Sequence, residues 1–318
     1  MSIGKTGRIW IALAVVAGLL AGCGGDEDQG AEGQLSVVTT TSVLSSLTEK
    51  VGGDLVAVEP LMGPGVDPHT FELTPGDVRA VADADLVFFN GIGLDDYLMD
   101  DVESANDAAN IVIVTDGIDL LESEDHEDEA EKDQEEDDHD HGAFDPHVWL
   151  DPIRVEMMVD NIADALAGAD PDNASIYRNN ATAYRETLEE TDRQIRALID
   201  EIPEDHRKLV TNHDAFEYFA RRYGLEIIGT VIPGTSSEAD PSASDIAELT
   251  QLIEEENVRA IFAEALIDPK VAESLASDTG VEIVYGLYTG QVGEEGSGAE
   301  TVDGMLLANA EKISEALR

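Results

Sequence analysis

Cysteine is nearly absent: the 318 residues contain one, Cys23. Beyond it there is no thiol, so neither a disulfide framework nor cysteine ligation of a metal is available. Basic residues are scarce as well, 18 Lys and Arg against 69 Asp and Glu. The resulting formal charge of −51 repels phosphates, which excludes nucleic acid as a partner and favours cations as guests. No apolar run reaches the ~20 residues that a membrane-spanning helix needs. No HExxH motif occurs, nor any other helix-borne ligand pair with an adjacent general base, which argues against a metallohydrolase. What remains is a folding composition, 42% apolar, in a chain long enough for two lobes with cores of their own.

The N-terminus carries Lys5 and Arg8, the apolar run Ile9 to Leu20, and then Leu20-Ala21-Gly22-Cys23. This order reads as a secretion signal, and the position of Cys23 resembles a bacterial-type lipobox. Residues 1–23 are therefore expected to be a lipoprotein signal peptide, with acylated Cys23 anchoring the mature chain to the outer face of the cell membrane. Residues 24–34, GGDEDQGAEGQ, hold too little apolar surface to fold and are expected to form a flexible tether. Acidic residues spread through the helical segments with few lysines fit a protein solvated in high salt.

From Leu35 onward, short β-rich runs alternate with helical patterns, the signature of an α/β fold with mostly parallel strands. Leu35–Thr40, Leu55–Leu61, Leu86–Asn90 and Ile111–Thr115 read as one set of strands. Lys208–Thr211, Glu226–Ile232, Arg259–Glu264 and Glu282–Tyr288 read as a second. Thr74 and Asp268-Pro269 mark helix starts. Between the sets, Ile176, Tyr184, Leu188, Ile195 and Leu198/Ile199 recur at helical spacing, which predicts one long helix over residues 170–202. The expected domains are a first lobe at 35–169, that linking helix, and a second lobe at 203–318. Glu122 to His141 shows no apolar periodicity, so residues 122–142 are expected to be a disordered His/acid-rich loop.

Seven histidines are present. His69 lies in the turn-rich GPGVDPH segment just after a strand, and His147 in DPHVWLDP, where two prolines stiffen the chain and Asp145 or Asp151 can orient the ring. Each is either a ligand or a buried structural histidine, and the repeated Asp-Pro-His favours the ligand. His213 follows the strand Lys208–Thr211 at its carboxyl end, where ligands of open α/β sheets collect. His206, in a polar turn, reads as a surface residue. Three imidazoles lean toward Zn²⁺, since Mn²⁺ favours more carboxylate oxygen. His126, His139 and His141 belong to the acidic segment, which is either a solvated acidic loop or, if functional, one whose histidines hold zinc weakly.

Five segments in order resemble the metal-specific (cluster A-I) solute-binding proteins of ABC importers: GVDPHTFELTPGDV, DPHVWLDP, DPDNASIYRNNATAYRETL, NHDAFEYFARRYGL and IFAEALIDPK. The resemblance covers essentially the whole chain after the tether. It implies two pseudo-symmetric α/β lobes joined by a long backbone helix, with the metal in the interlobe cleft. His69 and His147 would come from the first lobe and His213 from the second. Manganese-type members carry glutamate at the third position and zinc-type members histidine, so His213 points to zinc. Zinc-type members also carry a His/acid-rich loop like residues 122–142. One departure is Gly290, where many members place an aspartate ligand. Water, a loop residue, Glu294 or Glu295 are the candidates for the fourth ligand.

The expected function is high-affinity Zn²⁺ capture outside the cell by a monomer that catalyses nothing. The ion would pass to a membrane ABC permease, with the ATPase subunit engaged indirectly. Manganese or iron(II) binding by the same importer class is the alternative, and a metal-dependent surface adhesin or a zinc-dependent hydrolase is the reading of a different class.

Overall fold

A parallel sheet covered on both faces needs apolar residues at successive positions rather than alternate ones. Leu86–Phe89 (β3), with the sequence LVFF, meets that requirement along its whole length, all four side chains being buried. The computed structural model describes residues 33–106, 110–123, 144–237 and 239–318. The signal segment, Cys23 and most of the tether lie outside the described residues, as do His126, His139 and His141.

Two four-stranded sheets are present among the described residues. The first contains β1 (Leu35–Thr41), β2 (Val56–Met62), β3 and β4 (Asn110–Ile113), in the order β2-β1-β3-β4. The second contains β5 (Lys208–Thr211), β6 (Glu226–Thr230), β7 (Ala260–Glu264) and β8 (Glu282–Leu287), in the order β6-β5-β7-β8. Every pairing is parallel, and the same order in both sheets makes the lobes pseudo-symmetric. The eight strands read from the sequence all appear, each boundary lying within two residues of its expected place.

Local chemistry sets the helix starts. Thr41 caps α1 (Ser42–Gly52) by accepting from the Leu44 amide at 3.2 Å. Thr74 and Asp77 form a reciprocal capping box at α2 (Pro75–Asp83), with Pro75 at the first helical position where no amide is needed. Helix α3 (Met99–Ala105) completes the outer face of the first sheet, and α4 (Pro152–Ala169) is capped by Asp151. In the second lobe, α6 (Glu217–Tyr223) ends on Gly224 in the left-handed region, φ 72°. Asp268 accepts from the Lys270 amide at the start of α8 (Lys270–Thr279), while Ser242 and Asp245 repeat the capping box at α7 (Ala243–Glu255).

The long helix is α5 (Ala174–Asp200), 27 residues or about 40 Å at ~1.5 Å per residue. It is shorter than the expected 170–202 because Pro171–Asn173 form a separate 3-10 turn, and Asp170 is engaged by the Asn173 amide and the Tyr177 hydroxyl. Its buried face runs through Tyr177, Ala181, Tyr184, Leu188, Thr191, Ile195 and Ile199. Ile176, expected on that face, is 42% exposed, so the buried stripe begins one position later. Helix α5 packs on α1 and α4 at one lobe and on α9 (Val302–Leu317) at the other. As a result, one core cluster contains Val37 and Phe88 from the first sheet together with Phe262 and Leu287 from the second. The outer faces carry two smaller clusters, centred on Val81 and Val102 and on Leu249 and Leu275.

Candidate metal centre

Side chains that follow the carboxyl ends of parallel strands converge where two such sheets meet. His69 follows β2, His213 follows β5, and Thr289 and Gly290 follow β8, while Glu264 is the last residue of β7. His147 precedes α4. The structure brings His69, His147 and His213 together, with one ring nitrogen from each lying within 4.8 Å of the others. Ring centroids are separated by 5.6, 5.6 and 5.1 Å. The Nε2 atoms of His147 and His213 are 3.4 Å apart, and Nε2 of His69 is buried without a hydrogen-bond partner.

Two of the rings are fixed from behind. Asp145 Oδ1 accepts both from the His147 backbone amide at 2.9 Å and from Nδ1 at 2.7 Å. Glu264 Oε1 treats His213 the same way, at 3.0 Å from the amide and 2.9 Å from Nδ1. Glu264 is itself held by the Thr289 hydroxyl at 2.7 Å, and its amide donates to Asn212 Oδ1 at 2.7 Å. With Nδ1 donating to a carboxylate, each ring in its neutral form presents Nε2 as an acceptor toward the centre, the arrangement that orients imidazoles for a metal. The His147 loop is anchored further by Asn90, whose side-chain amide donates to the Pro146 carbonyl at 3.2 Å. Asn90 sits beside Asp95, a buried carboxylate that accepts from Thr40 and from the Asn90 and Gly91 amides.

Burial dominates the protonation of the site. His69 is lowered to about 3 by desolvation and by the neighbouring His147 and His213. His147 falls well below its ordinary value for the same reasons. His213 is also penalised by burial, but the Glu264 charge and hydrogen bond outweigh that and raise it. Asp145 is pushed up to about 7 by desolvation. Two of the three imidazoles are thus neutral and ready to donate a lone pair.

The side chains around the rings differ from the sequence reading in several respects. Of the two aspartates considered for His147, Asp145 orients the ring, whereas Asp151 caps α4 and pairs with Arg154. His206 is a half-buried residue whose Nδ1 lies 3.0 Å from the Leu317 carbonyl, and it stands apart from the site. Glu294 and Glu295 are exposed, and Glu294 lines a different groove with Gly65 and Tyr288. At Gly290 an added Cβ would sit 2.7 Å from Cδ of Pro68. The Pro68 ring fills the space a side chain there would need. Glu264, Thr289, Asn90 and Asp67 were not singled out from the sequence. For Asp67 a signal existed, since it stands two places before His69 as Asp145 does before His147.

A family model for zinc-uptake complex component A, a periplasmic protein, matches residues 37–316. The chain belongs to this family. Among its relatives is the manganese-binding lipoprotein MntA of Bacillus subtilis, 33% identical over 308 residues, 94% of this chain and 95% of that protein. The metal ABC transporter substrate-binding lipoprotein FimA of Streptococcus parasanguinis is 31% identical, with 96% of each chain covered. Of solved structures, the periplasmic zinc binding protein TroA from Treponema pallidum superposes with a TM-score of 0.80 at 30% identity, over 90% of this chain and 99% of that one. This family member is a substrate-binding component of an ABC metal importer, a transport protein rather than an enzyme. Among the described residues no helix is long and apolar enough to cross a membrane.

Proposed function

We propose that the chain captures Zn²⁺ outside the cell between its lobes, with His69, His147 and His213 as ligands, and hands it to its permease. The observation that carries this reading is the 3.4 Å separation of the His147 and His213 Nε2 atoms. Four ligands at ~2.0–2.1 Å in a tetrahedron stand roughly 3.3–3.4 Å apart, so two corners of a zinc site already have the right edge. Three imidazole nitrogens, with the carboxylates beside His147 and His213 bonded to Nδ1 rather than aimed at the centre, suit zinc better than manganese. Water is the fourth ligand in this reading, held in the small void beside His69 and His213. Manganese is the second reading, favoured by the name of the relative MntA.

In this reading acylated Cys23 ties the mature monomer to the membrane beside the permease, with residues 24–34 as the tether. Residues 35–169 and 203–318 act as the two lobes, joined through 170–202. His126, His139 and His141, in the acidic 122–142 segment, hold zinc weakly and raise its concentration near the cleft. Elemental analysis of protein purified without added metal, followed by competition calorimetry of Zn²⁺ against Mn²⁺, tests the choice of metal. Tighter binding of Mn²⁺ than of Zn²⁺ would replace the first reading with the second.

A further inference from the structure

Although the three histidines meet at one point, they are not held alike. His147 and His213 are 0% and 2% exposed, and each has Nδ1 on a buried carboxylate that also accepts from its own backbone amide. Among the described residues the His69 ring has no such carboxylate: Asp67 Oδ1 accepts from its backbone amide at 3.0 Å and not from the ring, and Nε2 is buried without a partner. His69 also occupies a singular place. It lines a small void of about 10 Å³ with Asp67, His213, Ser237, Thr289 and Gly290, a space of the size that holds one water or ion. On its other side it lines an open crevice of about 570 Å³ with Glu72, Tyr97, Phe144 and Thr235. Among the described residues His69 is the one common to both linings.

We propose that His69 is the exchange ligand, the imidazole that swings to let the ion in and out, while His147 and His213 form a fixed pair. The device that holds it is a contact between lobes: Ser237 Oγ donates to Asp67 Oδ2 at 2.7 Å, and the other oxygen of that carboxylate accepts from the His69 amide. Breaking the Ser237 bond frees the Asp67–His69 turn without touching a ligand or the carboxylates behind the fixed pair. This inference rests on the three-histidine reading above and adds an order to it: the outer crevice is the path, and release begins at His69.

The test uses the full chain loaded with Zn²⁺ and stopped-flow transfer of the ion to a chromophoric chelator. Ser237→Ala should raise the dissociation rate on the order of tenfold, the worth of one hydrogen bond to a carboxylate. Tyr184→Phe removes a hydrogen bond to Asp303 between α5 and α9 and should leave the rate unchanged. A Ser237→Ala rate equal to that of the unaltered chain overturns the proposal, and so does equal acceleration by Tyr184→Phe, which would indicate general loosening. Co²⁺ absorption supplies an independent arm. His69→Ala should keep weak binding by the fixed pair with a spectrum of higher coordination number, whereas His147→Ala and His213→Ala should lose it. Residual binding in either of those two but not in His69→Ala reverses the assignment, and equal loss in all three removes the order. If none of the three changes Co²⁺ binding, the three-histidine reading itself fails.

Discussion

His147 and His213 come from different lobes, and their Nε2 atoms face each other 3.4 Å apart. Two imidazole lone pairs aimed at one point repel unless a proton or a cation lies between. The site is therefore built to favour a charged guest, and its protonation governs how tightly that guest is held.

The first prediction concerns pH. His69, at about 3, and His147, held well below its ordinary value, are neutral near neutrality and carry no second ring proton for an ion to displace. Only His213 is raised, so its proton is the one an ion must displace. Affinity should be constant on the alkaline side and weaken as pH falls through the raised His213 value, with fewer than three protons released per ion. Calorimetry in two buffers of different ionisation enthalpy counts that proton, and a count of three would refute the assignment.

A second prediction concerns the carboxylate behind His213. Glu264→Gln keeps the shape but removes the charge, and loss of such an outer partner typically costs about 10–100-fold in metal affinity. Thr289→Val, which deletes the hydroxyl bonded to Glu264, should weaken binding in the same direction and by less. Unchanged dissociation constants for both would mean that His213 needs no support.

At Gly290 even a methyl group meets the Pro68 ring. Gly290→Ala should push the Pro68–His69 turn off the second lobe, weakening zinc binding while leaving the metal-free melting temperature close to that of the parent chain. A variant that binds as tightly as the parent would show that the turn adjusts freely.

The acidic segment can be removed cleanly because its root is tied independently. Glu122 and Phe144 form an antiparallel bridge, and the Tyr218 hydroxyl from the second lobe accepts from the Leu121 amide and donates to the Asp145 carbonyl. Deleting residues 124–142 with a short glycine linker should therefore leave the affinity of the tight site nearly unchanged and lower the number of weakly bound ions. Tyr218→Phe, by contrast, should reduce tight binding, since it loosens the residue that orients His147. Equilibrium dialysis separates the two effects.

The phase of α5 gives a prediction about stability. Tyr177→Ala should cost about 3 kcal/mol, as expected for deleting a large buried ring, whereas Ile176→Ala, at an exposed position, should stay within about 0.5 kcal/mol. Chemical denaturation of the two variants decides between the two helix faces.

Much of this was legible in the sequence because it is local. Strand runs such as LVFF, the Thr74-Pro75 start of α2 and the two Asp-Pro-His turns declare themselves within a few residues. Along α5 the apolar spacing marks Tyr184, Leu188, Ile195 and Ile199, all buried, and misplaces only Ile176 at the first turn; there the amphipathic Tyr177 takes the inner face, its ring buried while its hydroxyl reaches Asp170. Glu264 escaped notice for another reason. It acts on His213 across 51 positions of chain, and only the pairing of β5 with β7 brings the two together. Which of the three rings rests on a carboxylate is likewise invisible in a sequence, where the three histidines look alike.

The shared interior has a consequence for how the molecule comes apart. Because α5 and α9 contribute side chains to one apolar cluster reaching into both sheets, neither half keeps a finished surface if the other melts. Heating should therefore give a single calorimetric transition whose van't Hoff and measured enthalpies agree. A chain severed between α5 and β5 should yield two fragments that remain insoluble alone and recover only when mixed.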